Sequence, residues 1–405
     1  MGKIKYCHFY YTLLVLYILN QVLSESQFVN LSIMAKLLFA ARYAILGALF
    51  VLLVFQNIQI KRWLVVLLAI LLLFVCLNLF FADGGLSYIP IVLFVIGAKN
   101  CSSEKIFRYT IWTLVISHIF IILCAKIGIL EDTIDFRFIG EYTGNLFGGA
   151  YYRHNAGFLV HNQIALAYFI LYLYIIVYKR ENLKLFENIF YMLLNYAVFH
   201  FFGSRIVFLL TFFACALFYV IKLLKHWWAW PHPRHAYWFW IYPVLTAVSL
   251  GTALAYNPSS RLWLALDMIF NNRIRLANEA IRFYGISIIG AGKNAGLYNS
   301  ATLANNTVDN GYIATLISGG IVVTVILIGI WTFLTYLAEK KHNKYLVLVL
   351  VMIAIENLVN THIGSFKLLP FFCILINPED PFLQEDFAGK LLLNKKNKKL
   401  KIVVR

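Results

Sequence analysis

Apolar runs near the length that crosses a bilayer follow one another along almost the whole chain, at about 8–24, 34–56, 63–82, 86–98, 107–129, 157–178, 187–202, 206–224, 237–256, 311–337, 345–363 and 366–377. A helix spanning the hydrocarbon must satisfy every backbone donor and acceptor internally, and needs roughly 20 such residues to do so. The succession therefore predicts an all-α, polytopic integral membrane protein of about twelve transmembrane helices, a single membrane domain over 1–405. A content of 61% hydrophobic against 13% charged residues excludes an ordinary soluble domain. The runs at 86–98 and 366–377 are short enough to be tilted or re-entrant. Met1-Gly2-Lys3-Ile4-Lys5 before the first run resembles the start of a signal peptide, yet Asn20-Gln21 and the lack of a small-residue cleavage pattern favour an uncleaved anchor.

Charge orients the runs. With the lysine-rich segments in the cytoplasm, the inner side holds Lys3 and Lys5, Lys61 and Arg62, Lys99 to Arg108, Lys179 to Lys184, Lys222 to Arg234, Lys340 to Lys344 and the tail over 378–405. Both termini are then cytoplasmic in a multi-pass cell-membrane protein. The net +17 is spread over short loops and one tail instead of forming a basic face, so no nucleic-acid partner is expected. None of the six cysteines falls in an outer loop, which gives no sign of a disulfide framework or thiolate metal site.

The opposite side carries mainly arginine: Arg137, Arg153, Arg205, Arg261, Arg273, Arg275 and Arg282, with Arg42 and the lysines 36, 126, 293 and 367. A guanidinium is planar, permanently charged and grips phosphate oxygens in pairs, so this face points to an anionic, phosphorylated ligand. Two outer loops interrupt the helices. Residues 130–156 run from Glu131, Asp132 and Asp135 through a glycine-rich stretch to Arg153; residues 257–310 hold amphipathic stretches around 261–284, then Gly290-Ala291-Gly292-Lys293. Those glycines complete no nucleotide-binding pattern.

Four groups could carry chemistry. Arg153-His154-Asn155-Ala156-Gly157-Phe158, then His161-Asn162-Gln163, stand before the sixth run; taken as helical from 157, they place His161 one turn beyond Gly157, with polar groups where lipid exposure is costly. Interhelical hydrogen bonding is the alternative role. Gly203-Ser204-Arg205 fills a very short connection, where Arg205 either meets a ligand or snorkels. Arg273, Arg275 and Arg282 follow one another with helix-like polarity in the large loop, where solvated surface charge is the alternative role. Asp309-Asn310-Gly311-Tyr312 leads into the tenth run, with Asp309 a candidate helix cap or proton acceptor. His154, His161 and His362 are the competing acceptors.

The order of these motifs resembles the O-antigen polymerase family, in particular its Gram-positive exopolysaccharide and capsule branch: Arg153 through Gly157-Phe158 to His161-Asn162, then Gly203-Ser204-Arg205, the arginine-bearing large loop, and Asp309 to Tyr312. The resemblance implies glycosyl transfer between undecaprenyl-diphosphate-linked oligosaccharides outside the cytoplasm, with donor and acceptor both lipid-linked, and with membrane lipids, a flippase and a chain-length regulator as partners. Related O-antigen ligases often have His-Asn where this chain has Asp309-Asn310, which favours the polymerase. On this reading Asp309 is the first and His161 the second choice of base, while Arg153, Arg205, Arg273, Arg275, Asn162, Asn310 and Tyr312 contact substrate. No cofactor is implied and no divalent-ion dependence is expected. A lipid-linked oligosaccharide flippase, a ligase-like transferase and a structural subunit of an assembly complex are the alternatives.

Overall fold

The computed structural model describes residues 3–55, 62–82, 88–138, 150–223, 237–270, 272–292, 297–300 and 303–384. Every apolar run of the sequence is helical within them: α1 Lys3–Ser24, α2 Ser32–Val54, α3 Arg62–Ala82, α4 Ile89–Gly97, α5 Ser103–Lys126, α6 Gln163–Lys179, α7 Leu185–Phe202, α8 Arg205–Leu223, α9 Ile241–Ala255, α12 Gly311–Lys340, α13 Lys344–Glu356 and, among 3-10 turns, α14 Leu369–Cys373. The loop helices are α10 Arg261–Ile269 and α11 Arg273–Tyr284. Among the described residues, eight helices are long and apolar enough to cross a membrane: α1, α2, α3, α5, α6, α8, α9 and α12. The chain is a mostly helical, multi-pass membrane protein. α4 and α13, of 9 and 13 residues, rise only about 14 and 20 Å, short of a ~30 Å hydrocarbon layer.

The fold is not purely helical. Strands β1 Ile134–Phe138 and β2 Ala150–His154 form an antiparallel hairpin with Asp135 opposite Arg153. A second pair, β3 Leu297–Ser300 and β4 Leu303–Thr307, lies in the large loop. Arg137 is placed by its backbone alone, and Lys61, Glu141, Lys225, Arg234, Lys293 and the tail beyond 384 lie outside the described residues.

Contacts divide the chain into two compact units, one comprising 1–56, 100–229 and 379–405, the other 57–99 and 230–378. In the first, α6 is the buried centre, packed by α5, α7 and α8, while α1 lies against α2 and α5. Polar side chains link these helices: Asn188 Nδ2 donates to Cys215 O at 3.2 Å and Asn195 Nδ2 to Phe208 O at 3.0 Å. Hydrocarbon offers no hydrophobic drive to helix association, so such bonds and close packing supply it. Arg180, placed by sequence as a topology marker, is 1% exposed and clamps the chain after α14: its guanidinium donates to the carbonyls of Phe382 and Gln384 and lies 4.7 Å from the Phe382 ring centroid.

In the second unit α12 is the centre, against α3, α9, α11 and α13. Trp331 fixes its lower half, stacked on Tyr242 at 5.5 Å and donating from Nε1 to Ile363 O at 2.9 Å. The α12 helix is broken at Gly320, whose φ of 81° and ψ of 177° belong to glycine alone. The extended segment after α11 fills the break: Ala291 N–H donates to Ile317 O at 2.8 Å, Gly292 N–H to Ser318 O at 3.1 Å, and Ile321 N–H to Ser287 O at 3.0 Å. Asn78 of α3 closes the arrangement, its Nδ2 donating to Ile289 O and Ser318 O. Extended backbone thus reaches about 9–15 Å along α12, tolerated because α12 and Asn78 take up its backbone hydrogen bonds. This is the role of Gly290, a glycine that the sequence alone left without a meaning: a Cβ there would stand 2.4 Å from Ser318 O.

Candidate functional site

The candidate residues fall in both units. In the first unit the hairpin and the chain after it are tied down by short polar links. Asp132 receives His154 Nδ1 at 2.8 Å and Ala156 N–H at 2.8 Å; Asn155 Oδ1 receives Thr133 N–H at 2.9 Å. Gly157, at φ 83°, leaves no room for a side chain beside Leu130, Ala125 and Ile121, and Phe158 is fully buried against the His118 ring. Helix α6 begins only at Gln163, so the expected helical spacing of Gly157 and His161 does not hold: the left-handed Ala156 and Gly157 keep this stretch out of a helix. His161 is half-buried just before α6, and Asn162 is its N-terminal flanking residue, with its carbonyl accepting Leu166 N–H at 3.0 Å.

Arg153 is 8% exposed. Its Nε donates to Phe202 O at 3.4 Å and its Nη1 lies 3.9 Å from Asp135 Oδ2. The cation therefore sits at the C-terminal, negative end of the α7 dipole. Gly203 ends that helix in the left-handed conformation at φ 59°, which accounts for the glycine in Gly-Ser-Arg, and Arg205 opens α8 two residues later. Arg153 and Arg205 thus meet the same α7–α8 turn, which the sequence could not show.

In the second unit the large loop folds back onto the membrane helices. Helix α11 buries Ala277, Ala280 and Ile281 with Ala253, Val308, Ile313 and Ile317; the alanines let its backbone come close. Asn278 Nδ2 donates to Ala253 O at 2.7 Å. Asp267, 4% exposed, accepts the Arg275 backbone N–H at 2.9 Å and so caps α11 from the preceding helix. This packing leaves a half-open pocket of about 90 Å³, with Val248, Thr252, Phe270, Ile274 and Leu358 on its walls and Ser249, Arg273 and Asn310 as polar groups.

Arg273 Nη2 stands 3.8 Å from Asp309 Oδ2, and the two side chains are 12% and 49% exposed. Asp309 is not the helix cap. Asn310 is: its Oδ1 accepts the N–H groups of Tyr312 and Ile313 at 3.1 and 3.2 Å, while its Nδ2 donates to Ser249 Oγ at 3.2 Å. The Asp309 carboxylate stands beside Arg273. Arg275 points elsewhere, with Nε 3.9 Å from Glu279 of the next turn. Tyr312, expected on a sugar path, is 1% exposed and donates its hydroxyl to Ala354 O at 2.8 Å; it seats α12 on α13.

Sequence reasoning named His362 but missed its partner. Glu356, 2% exposed at the end of α13, lies 3.1 Å from His362 Nδ1. The intervening Asn357 accepts Gly311 N–H at 2.7 Å through its carbonyl and His362 N–H at 3.2 Å through its side chain. Gly311 has no space for a Cβ, which would approach Asn357 Oδ1 to 2.6 Å. A lone acid inside the apolar run 345–363 was the available signal, since a buried carboxylate requires a partner.

Chemically, the pocket offers a guanidinium and amide beside apolar walls, with the Asp309 carboxylate 3.8 Å from that guanidinium. That suits an anionic group joined to an apolar or sugar moiety. Fold and site together define a multi-pass helical membrane protein with a largely apolar pocket, partly walled by the large loop, at the Gly311 end of α12. No protein-family model matches the chain, and no curated protein or solved structure matches it.

Proposed function

We propose that this protein is a polysaccharide polymerase that joins undecaprenyl-diphosphate-linked repeat units by glycosyl transfer on the outer side of the cytoplasmic membrane. The observation that carries the reading is the Arg273–Asp309 pair, a diphosphate-compatible cation that lines the pocket and stands 3.8 Å from a carboxylate. In the reaction, an acceptor hydroxyl attacks the anomeric carbon of the donor sugar. The carbon–oxygen bond to the diphosphate breaks, its electron pair leaves with the diphosphate, and the hydroxyl proton passes to a base. Arg273 would stabilise the charge growing on the leaving group, as preorganised donors do without reorganisation. Asp309 remains the first choice of base and His161 the second. Arg153 and Arg205 at the α7–α8 turn and Asn162 are further substrate contacts on the resemblance to the O-antigen polymerase family.

The proposal includes the lysine-inside orientation with both termini in the cytoplasm. Maleimide added outside intact cells is expected to label cysteines introduced near 140 and 295 and to spare those near 182, 342 and 398. Labelling at 182 would reverse the orientation and remove the outer-arginine argument.

One observation favours a second reading, a lipid-linked oligosaccharide transporter: helices interrupted inside the membrane, like α12 at Gly320, are common in transport folds. Against it, the backbone groups at the break are met by the 287–292 segment, which gives the interruption a structural use. A deletion strain separates the two. Loss of a polymerase leaves single repeat units on the outer face, whereas loss of a transporter leaves them inside.

A further inference from the structure

Helices α10 and α11 are adjacent, yet their polarity runs in opposite directions. α11 buries its alanines and isoleucines against α9 and α12 and turns Arg275, Glu279 and Arg282 away, as a helix between a protein core and water does. α10 is reversed. Its one acid, Asp267, is 4% exposed and faces inward to cap α11, and Trp263 packs edge-on to Tyr256 with ring centroids 6.3 Å apart. Leu262, Leu264, Met268 and Ile269 instead face outward, exposed by 67, 43, 50 and 74%. At the helical repeat these four and Ala265 occupy one face, where the single charge is Arg261 in the first turn.

A contiguous apolar face of this kind is out of place in water. Lipid solvates it, and the chain leads there. Helix α9 belongs to an apolar span, Trp238–Ala255, whose Val244, Val248 and Leu254 are exposed by 50, 49 and 56%. Residues 256–260 alone separate it from α10, so α10 starts where α9 leaves the hydrocarbon. An arginine in the first turn suits the level of the phosphates.

We propose that α10 lies in the membrane interface at the Gly311 end of the second unit, with its Leu262, Leu264, Met268 and Ile269 face among lipid acyl chains. The pocket, which Phe270 at the end of α10 helps to line, then has a wall on the lipid side. The inference is independent of the reaction catalysed and of which side of the membrane this end occupies.

The test is nitroxide labelling of Leu262→Cys, Leu264→Cys and Ile269→Cys in full-length protein reconstituted in phosphatidylglycerol/phosphatidylethanolamine vesicles. Arg282→Cys is the water-facing control, and the wild-type chain, whose cysteines are buried or half-buried, is the blank. Power saturation should give a ratio of oxygen to nickel-chelate accessibility several-fold higher at 262, 264 and 269 than at 282. Ratios equal to that at 282 would place the face in water and overturn the proposal. Labels shielded from both reagents would place it against protein, a second copy or another chain, and overturn it equally. Positions 262 and 269 share one face two turns apart and report independently, and side chains this exposed accept a label without refolding the core.

Discussion

Gly320→Ala is expected to abolish the folded second unit, and Gly290→Ala to do nearly the same. Each glycine has a positive φ, 81° and 92°, and each faces only backbone of the other segment: a Cβ on Gly320 would stand 2.3 Å from Ile288 O and 2.5 Å from Gly290 N. No side-chain rearrangement relieves a clash with main chain. The forced φ costs about 1–3 kcal/mol and the overpacking about as much again, a large fraction of a typical ~5–15 kcal/mol stability. Gly329→Ala is the control. It lies in the same helix with nothing within 4 Å of its added Cβ, so helix propensity should leave it neutral or better by up to ~1 kcal/mol. Thermal melts in detergent and the yield of monodisperse protein check both. A Gly320→Ala protein as stable as wild type would mean that the loop does not dock in the α12 break.

The second large effect is on turnover. Arg273→Lys keeps the charge but loses the planar fork, and should lower chain elongation on the order of 10²-fold at matched abundance and saturating substrate. Arg275→Lys should be nearly silent, because Arg275 serves a half-buried, long i,i+4 pair with Glu279 at 3.9 Å, worth only ~0.3–0.5 kcal/mol. Asp309→Asn should fold normally, since Asn310 supplies the cap, and should lose activity as Arg273→Lys does. Equal effects at Arg273 and Arg275 would reduce both to surface charge. Near-normal turnover by Asp309→Asn would move His161 to first choice of base.

The helices were legible because membrane spans are written in local hydropathy, and even the short ones, α4 and α13, appeared as apolar runs. The shortness of α4 was already visible in the run 86–98, but that of α13 was not: 345–363 reads through Glu356 and Asn357, where the backbone turns to hold Gly311 and His362. The α12 break was hidden for a similar reason. Gly319-Gly320 in an apolar run looks like a tolerated helix interior, and only the distant 287–292 segment makes it a docking point. At the site, sequence identified the 309–312 motif but gave the cap to the wrong neighbour. Asp and Asn cap about equally well, and the choice was made by Ser249, which offers its hydroxyl to an amide donor. Arg153 carried a clear signal of an unusual cation, but its contact with Phe202 O depends on a hairpin too short to announce itself by alternation.

The central claim, that this membrane protein polymerises lipid-diphosphate oligosaccharides, is tested most directly by purified protein in vesicles supplied with one defined undecaprenyl-diphosphate oligosaccharide, followed by sizing of the products. The account predicts a ladder at integral multiples of the repeat unit, strongly diminished with Arg273→Lys. Substrate that stays at one repeat unit while the folded protein merely moves it across the bilayer would contradict it.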